Sequence, residues 1–152
     1  MHAALPERRA LIENLPEDPI KGINAFEKLL AEQALRHLSR ECWRIILSAQ
    51  FLEPGGRAHR TGIRLNLLIK RQYVGLLRTY QIRGRLQPWI DVASLSELIV
   101  GITTWNFAKC VSSSSMTIPQ LLAIGVTQTH LIMSGLARPV KARGRRELAR
   151  IT

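Results

Sequence analysis

Apolar residues recur at three- and four-residue intervals along most of the chain, the spacing that places them on one face of an α-helix. Short breaks rich in Pro, Gly and Ser separate the segments that have this spacing. We find no segment with the two-residue alternation of apolar and polar positions that is typical of a strand. The pattern therefore predicts an all-α fold of about five to six helices.

Capping residues mark where the first predicted helices begin. Asp18 can accept hydrogen bonds from free N–H groups at a helix start, and it predicts a helix over Pro19 to about Leu38. Ser39 predicts a second helix from Arg40 to about Glu53 in the same way. Pro54-Gly55-Gly56 then ends that helix, because Gly accepts the left-handed conformation and Pro cannot continue the helix.

The third predicted helix, from about Ala58 to Arg83, lies in a basic part of the chain. Between Pro54 and Ile90 there is no acid, but there are eight bases. Five arginines recur every seven residues and predict one basic stripe, namely Arg57, Arg64, Arg71, Arg78 and Arg85. A solvated helix face is the usual reading of such a stripe, and a surface for nucleic-acid phosphates is the alternative. The net charge of +11 agrees with an acidic partner.

Two further helices are predicted to be apolar over a wide arc. The first runs from Asp91 to about Val111 and the second from Thr117 to about Gly135, and each begins at a capping residue. Between positions 91 and 137 the only charged residues are Asp91, Glu97 and Lys109. Helices with so few charges need another surface to cover them in water.

Three arrangements would cover this apolar pair. It can form a four-helix bundle with its copy in a twofold dimer, it can be enclosed within one chain, or it can form a membrane hairpin. The dimer is favoured, because the rest of the chain offers few helices to enclose the pair and the second helix carries several Gln, Thr and His residues. The residues predicted at the dimer interface are Leu98, Gly101, Ile102, Leu121, Ile124, Gly125, Gln128 and Ile132.

The composition indicates one helical domain in a reducing compartment. Hydrophobic residues make up 46% of the chain and aromatic residues 5%. Two lone cysteines, Cys42 and Cys110, favour a cytoplasmic protein over a disulfide-bonded one. The histidines lack metal-ligand spacing, and we find no nucleophile elbow, phosphate loop or dinucleotide-binding motif. We therefore expect no metal, no cofactor and no enzymatic activity.

Two segments carry a family resemblance. The first is IRGRLQPWIDVASLSELIVGITTW, residues 82–105, and the second is the apolar helix that ends in LIMSGLARP, residues 131–139. Together with Leu15-Pro16-Glu17-Asp18-Pro19 and the helix after it, they resemble the C-terminal domain of TetR-family transcriptional regulators. The resemblance covers about residues 12–139. The order and spacing of these elements carry the resemblance.

The resemblance implies an all-helical domain that dimerises through its last two helices. It divides the chain into the end of a connecting helix at 1–14, a regulatory domain at 15–139, and a basic tail at 140–152 that we expect to be disordered. The family's N-terminal helix-turn-helix does not occur in these 152 residues. The favoured interpretation is therefore the regulatory domain of a repressor that would meet DNA only through a helix-turn-helix not present here. A standalone domain and a non-specific nucleic-acid-binding module are the alternatives.

The resemblance also implies a pocket for a small apolar or amphipathic effector, with no role for a membrane. Asn66 is the first candidate for its lining, because it interrupts a run of Leu and Ile and must find a partner if buried. For each candidate, ordinary core packing is the competing interpretation. The full set of candidate pocket residues is Phe26, Leu30, Trp43, Ile46, Asn66, Tyr73 and Trp105.

Overall fold

The computed structural model describes residues 4–138, and this part of the chain consists of helices joined by short turns. The six helices are α1 Ala4–Glu13, α2 Pro19–His37, α3 Arg40–Leu52, α4 Arg57–Ile82, α5 Val92–Ser112 and α6 Ile118–Met133. An isolated antiparallel bridge pairs Leu86 with Ala137. The predicted all-α fold of five to six helices is confirmed. The predicted basic tail at 140–152 lies outside the described residues.

Four helices begin where the sequence predicts a cap. The side chains of Asp18, Ser39 and Asp91 each accept a hydrogen bond from a backbone N–H in the first turn of α2, α3 and α5. At α6 the predicted capping box is present, because Thr117 and Gln120 each accept the backbone N–H of the other. These bonds satisfy N–H groups that have no partner inside the helix, so they fix where the helices start.

The main core lies where α2 meets α4. The rings of Phe26 and Tyr73 pack edge to face there, with centroids 4.9 Å apart and planes at 84°. The loop before α5 and the end of α6 close this core. Other side chains that are almost completely buried in it are Ile23, Leu76, Leu77, Tyr80, Leu86 and Met133.

The two apolar helices, α5 and α6, each pack against other helices of the chain on one side. α6 packs on α2, α5 packs on α4, and α3 lies against both α4 and α5. The end of α6 is tied to the turn after α4, because Gln87 N–H donates to Leu136 O at 3.0 Å and Arg138 N–H donates to Arg85 O at 2.8 Å. Within residues 4–138, no helix combines the length and apolar character that crossing a membrane requires.

Tyr80 connects α4 to the start of α2. Its hydroxyl donates to Pro16 O at 2.8 Å, and Asp18 O lies at 3.3 Å. This contact requires a glycine on α2, since a Cβ at Gly22 would lie 1.9 Å from the Tyr80 hydroxyl oxygen. Close packing of α2 on α4 therefore depends on the absence of a side chain at position 22.

Alanine substitutions at two helical glycines should change stability in opposite directions. Gly22→Ala should lower the free energy of unfolding by about 1–3 kcal/mol, because the new methyl group overpacks the core. Gly75→Ala is the matched control, since a Cβ there meets nothing within 4 Å. It should raise stability by up to about 1 kcal/mol through helix propensity. Urea denaturation measures both changes, and equal effects of the two substitutions would contradict this account of the α2–α4 contact.

Candidate functional site

A cavity of about 270 Å³ lies between α2, α3, α4, α5 and α6. An apolar cavity of about 150 Å³ in a protein core holds a benzene molecule, so this one suits a ligand of roughly ten non-hydrogen atoms. Most of its lining is apolar, including Leu30, Leu47, Leu65, Ile69, Val100 and Phe107. A mostly apolar cavity with a few polar groups is the usual form of a small-molecule site.

Three of the seven candidate pocket residues line this cavity, namely Leu30, Trp43 and Asn66. Phe26 and Tyr73 do not line it, because they pack against each other in the main core.

The other two candidates lie away from the cavity lining. Ile46 is half-buried on α3 and is not among the cavity residues. Trp105 points outward from α5 and is 65% exposed.

The cavity also contains polar residues that the sequence analysis did not select. Glu27, Gln33, Thr103 and Asn106 all line it. Glu27 follows Phe26 on an amphipathic helix. A single acidic residue in such a helix is expected on the solvent-exposed face, so the sequence did not indicate Glu27 as a cavity residue. A sequence feature that could have indicated these polar cavity residues lies on α5. Thr103 and Asn106 are one turn apart in a helix with few charges, and polar groups that are buried in such a helix need partners.

The Glu27 carboxylate is held between α5 and α6. Thr103 Oγ1 donates to Glu27 Oε1 at 3.0 Å, and Thr129 Oγ1 lies 3.5 Å from Oε2. Gly125 leaves room for this group, since a Cβ there would be 3.0 Å from Oε2. Burial raises the pKa of Glu27, and the two threonine hydrogen bonds oppose that rise.

Asn106 is a second buried polar group at the cavity. It is 3% exposed, and its Nδ2 donates to Gln128 Oε1 on α6. Its Oδ1 has no hydrogen-bond partner among the described residues. A buried acceptor without a partner carries an energetic cost.

One side of the cavity is formed by α3, a helix in which no residue is buried. Trp43 Nε1 donates to Ala34 O at 2.9 Å, and the Trp43 ring meets Phe107 edge to face with centroids 5.2 Å apart. At the start of α3, the Arg40 guanidinium donates to three backbone carbonyls at the junction of α5 and α6. α3 therefore covers one side of the cavity, and the Arg40 hydrogen bonds attach its N-terminal end to the α5–α6 junction.

Two residues with basic side chains also line the cavity. Arg8 donates to Gln33 Oε1 at 2.6 Å and to Gln72 Oε1 at 3.2 Å. His37 is exposed at the end of α2. In residues 4–138, neither of them forms an ion pair with Glu27. The same part of the chain contains no group of three or more His, Cys, Asp or Glu side chains placed to hold a metal ion.

The predicted dimer residues fall into two groups. Leu98, Gly101, Ile102, Ile124 and Ile132 are exposed or half-buried.

Of the other three predicted dimer residues, Leu121 is buried, and Gly125 and Gln128 are half-buried and contact side chains of the same chain. Leu121 is 7% exposed and packs with Ala31 and Cys110. Gly125 lies against Glu27, and Gln128 accepts from Asn106.

Comparisons with family models, curated proteins and solved structures find no matching family, protein or structure.

The buried carboxylate should make stability depend on pH. Because the folded-state pKa of Glu27 is raised, the folded protein loses stability as pH rises from the ordinary glutamate pKa of about 4.3 through the raised value. Glu27→Gln removes this loss, so its stability relative to wild type should be greater at pH 7 than at pH 4. Urea denaturation across this range measures the difference.

Thr103→Val provides an independent check of the same effect. It removes a hydrogen bond that stabilises the charged form, so the loss of stability should extend to higher pH than in wild type. If the difference in free energy of unfolding between wild type and Glu27→Gln does not change with pH, that result would contradict the burial of a charged group.

Proposed function

We propose that this chain is the ligand-binding and dimerisation domain of a TetR-like transcriptional repressor, with a small, mostly apolar effector. The observation that carries the proposal is the cavity of about 270 Å³, which combines an apolar lining with a few buried polar groups. In this proposal, contact with operator DNA belongs to a helix-turn-helix outside these 152 residues.

An apolar surface on α5 and α6 supports dimerisation. We call it the α5–α6 face and define it by Leu98, Gly101, Trp105, Val126 and Leu131. Trp105 and Leu131 are 65% and 69% exposed, and Leu98 and Val126 are about half exposed. Leu98, Gly101 and Trp105 share one side of α5 by their spacing, and exposed apolar side chains that lie together mark a site of association. Two copies of this face would form the four-helix bundle of a twofold dimer.

The two proposed roles meet on α5. Thr103 and Asn106 line the cavity, and Leu98, Gly101 and Trp105 lie on the outward side of the same helix. A ligand that changes the position or tilt of α5 would therefore also change the dimer contact. This coupling through one helix is how an effector could change the separation of two DNA-reading units.

The basic stripe favours a second candidate function, non-specific binding to nucleic acid. Arg57, Arg64, Arg71 and Arg78 are exposed along α4, and none of them forms an ion pair within residues 4–138. A row of unpaired arginines suits the phosphate backbone, which proteins contact without reading sequence. Nucleic-acid binding stays a prediction. It does not account for the cavity.

Filling the cavity should abolish ligand binding. The neutral probe 4-phenylbutan-1-ol has about eleven non-hydrogen atoms and matches the cavity in size. It should stabilise the wild-type protein by about 2.7 kcal/mol when present at 100 times its Kd. Ala34→Trp places an indole in the cavity lining and should remove this stabilisation. Ala93→Trp, at an exposed position of α5, is the control and should retain it. The proposal fails if Ala34→Trp is stabilised as much as wild type.

A charge in the centre of the α5–α6 face should break the dimer. A Cβ at Gly101 meets nothing within 4 Å, so Gly101→Arg leaves the folded monomer intact. In a dimer it would place a desolvated charge between the copies and raise Kd by at least about 100-fold. Light scattering coupled to gel filtration measures the mass. Gly75→Arg on α4, where a Cβ is equally free, is the control. A wild-type monomer at micromolar concentration would refute dimerisation through this face.

A further inference from the structure

Glu27 is the only carboxylate among the residues that line the cavity. It reaches the cavity from α2, and its side chain is largely removed from water between α5 and α6. A charged carboxylate in such a place loses its hydration, and hydrogen bonds or an opposite charge must replace it.

The groups that contact Glu27 replace only part of that hydration. Its carboxylate can accept about four hydrogen bonds. Thr103 donates one at 3.0 Å, and Thr129 contributes a longer contact at 3.5 Å. Both donors are uncharged hydroxyl groups, so the carboxylate keeps free lone pairs and its negative charge has no counter-ion among residues 4–138.

Two arginines near the cavity are engaged by other side chains. Arg8 is bound to the side-chain oxygens of Gln33 and Gln72. Arg36 lies next to the cavity residue His37 and pairs with Glu7 at 3.1 Å. Within residues 4–138, Glu27 forms no ion pair with a basic side chain.

We propose that the cavity selects a ligand with a protonated amine, and that Glu27 is the counter-ion for this amine. The inference rests on the proposed function, because it names the chemical class of the small molecule that the cavity holds. The ligand has an apolar body of roughly ten non-hydrogen atoms that fills the cavity, and an ammonium group that reaches the carboxylate.

The number of donors also favours an amine. An ammonium group brings three N–H donors and a positive charge to the Glu27 carboxylate, whereas a hydroxyl brings one uncharged donor. A carboxylate ligand would be repelled by Glu27.

Three probes with the same apolar body test the inference in the full chain at pH 7. They are 4-phenylbutylammonium, 4-phenylbutan-1-ol and 4-phenylbutanoate, and titration calorimetry measures each Kd. We expect the amine to bind about tenfold or more tightly than the alcohol, and the carboxylate to bind most weakly. In Glu27→Gln, the amine should lose this advantage, and the alcohol should keep its Kd within about twofold.

A second variant tests the role of the carboxylate even if the Glu27→Gln protein does not fold. Gly125→Ala retains the carboxylate but places a methyl group 3.0 Å from Oε2, so it should displace the carboxylate and reduce the preference for the amine. Gly75→Ala adds the same methyl group on α4, away from the cavity lining and where nothing lies within 4 Å, and should leave the preference unchanged.

The outcomes separate the inference from the proposed function. If the alcohol binds as tightly as the amine, or if Glu27→Gln keeps the preference, the counter-ion role of Glu27 is refuted and the ligand-binding cavity stands. If none of the three probes binds to the wild-type protein, the proposed function is refuted and the inference with it.

Discussion

Contact of the Glu27 carboxylate with α5 and α6 is the interaction on which the candidate site depends. The carboxylate crosses from α2 to meet Thr103 on α5 and Gly125 and Thr129 on α6. It thereby joins three helices at one side of the cavity. An apolar side chain at this position would be buried at a lower cost in free energy, because a buried charge without a counter-ion is destabilising. A positively charged group in the ligand would offset that cost.

The helices around this contact have two distinct sides. The inward side of α5 carries Thr103 and Asn106, and its outward side carries Leu98 and Trp105. α6 is arranged similarly, with Leu121 in the cavity lining and Leu131 exposed. The two helices therefore contribute both to the cavity and to exposed apolar positions. In a dimer formed through the α5–α6 face, a change at the cavity would reach the partner through a single layer of helix.

The sequence predicted local features well, because these depend on neighbouring residues. The caps at Asp18, Ser39, Asp91 and Thr117 are all present, since a cap needs only a side-chain acceptor and the N–H groups two or three residues later. The all-α class follows from the same short-range pattern.

Which side of a buried helix faces the cavity was harder to predict. Phe26 and Leu30 share one apolar line of α2 and both belong to the main core, yet only Leu30 also lines the cavity. Helix-to-helix packing decides this, and it is not encoded in spacing alone. Glu27 was missed for a related reason, because its burial depends on Gly125 and Thr129, which are about a hundred residues away in sequence.

Carbon-13 NMR of the Glu27 side-chain carboxyl during a pH titration tests the central claim most directly. The account predicts a titration midpoint above the ordinary glutamate value of about 4.3 in the ligand-free protein. It also predicts that the midpoint falls when 4-phenylbutylammonium is added, because a nearby positive charge stabilises the carboxylate. An ordinary midpoint that does not respond to the amine would contradict the account of a buried carboxylate awaiting a counter-ion.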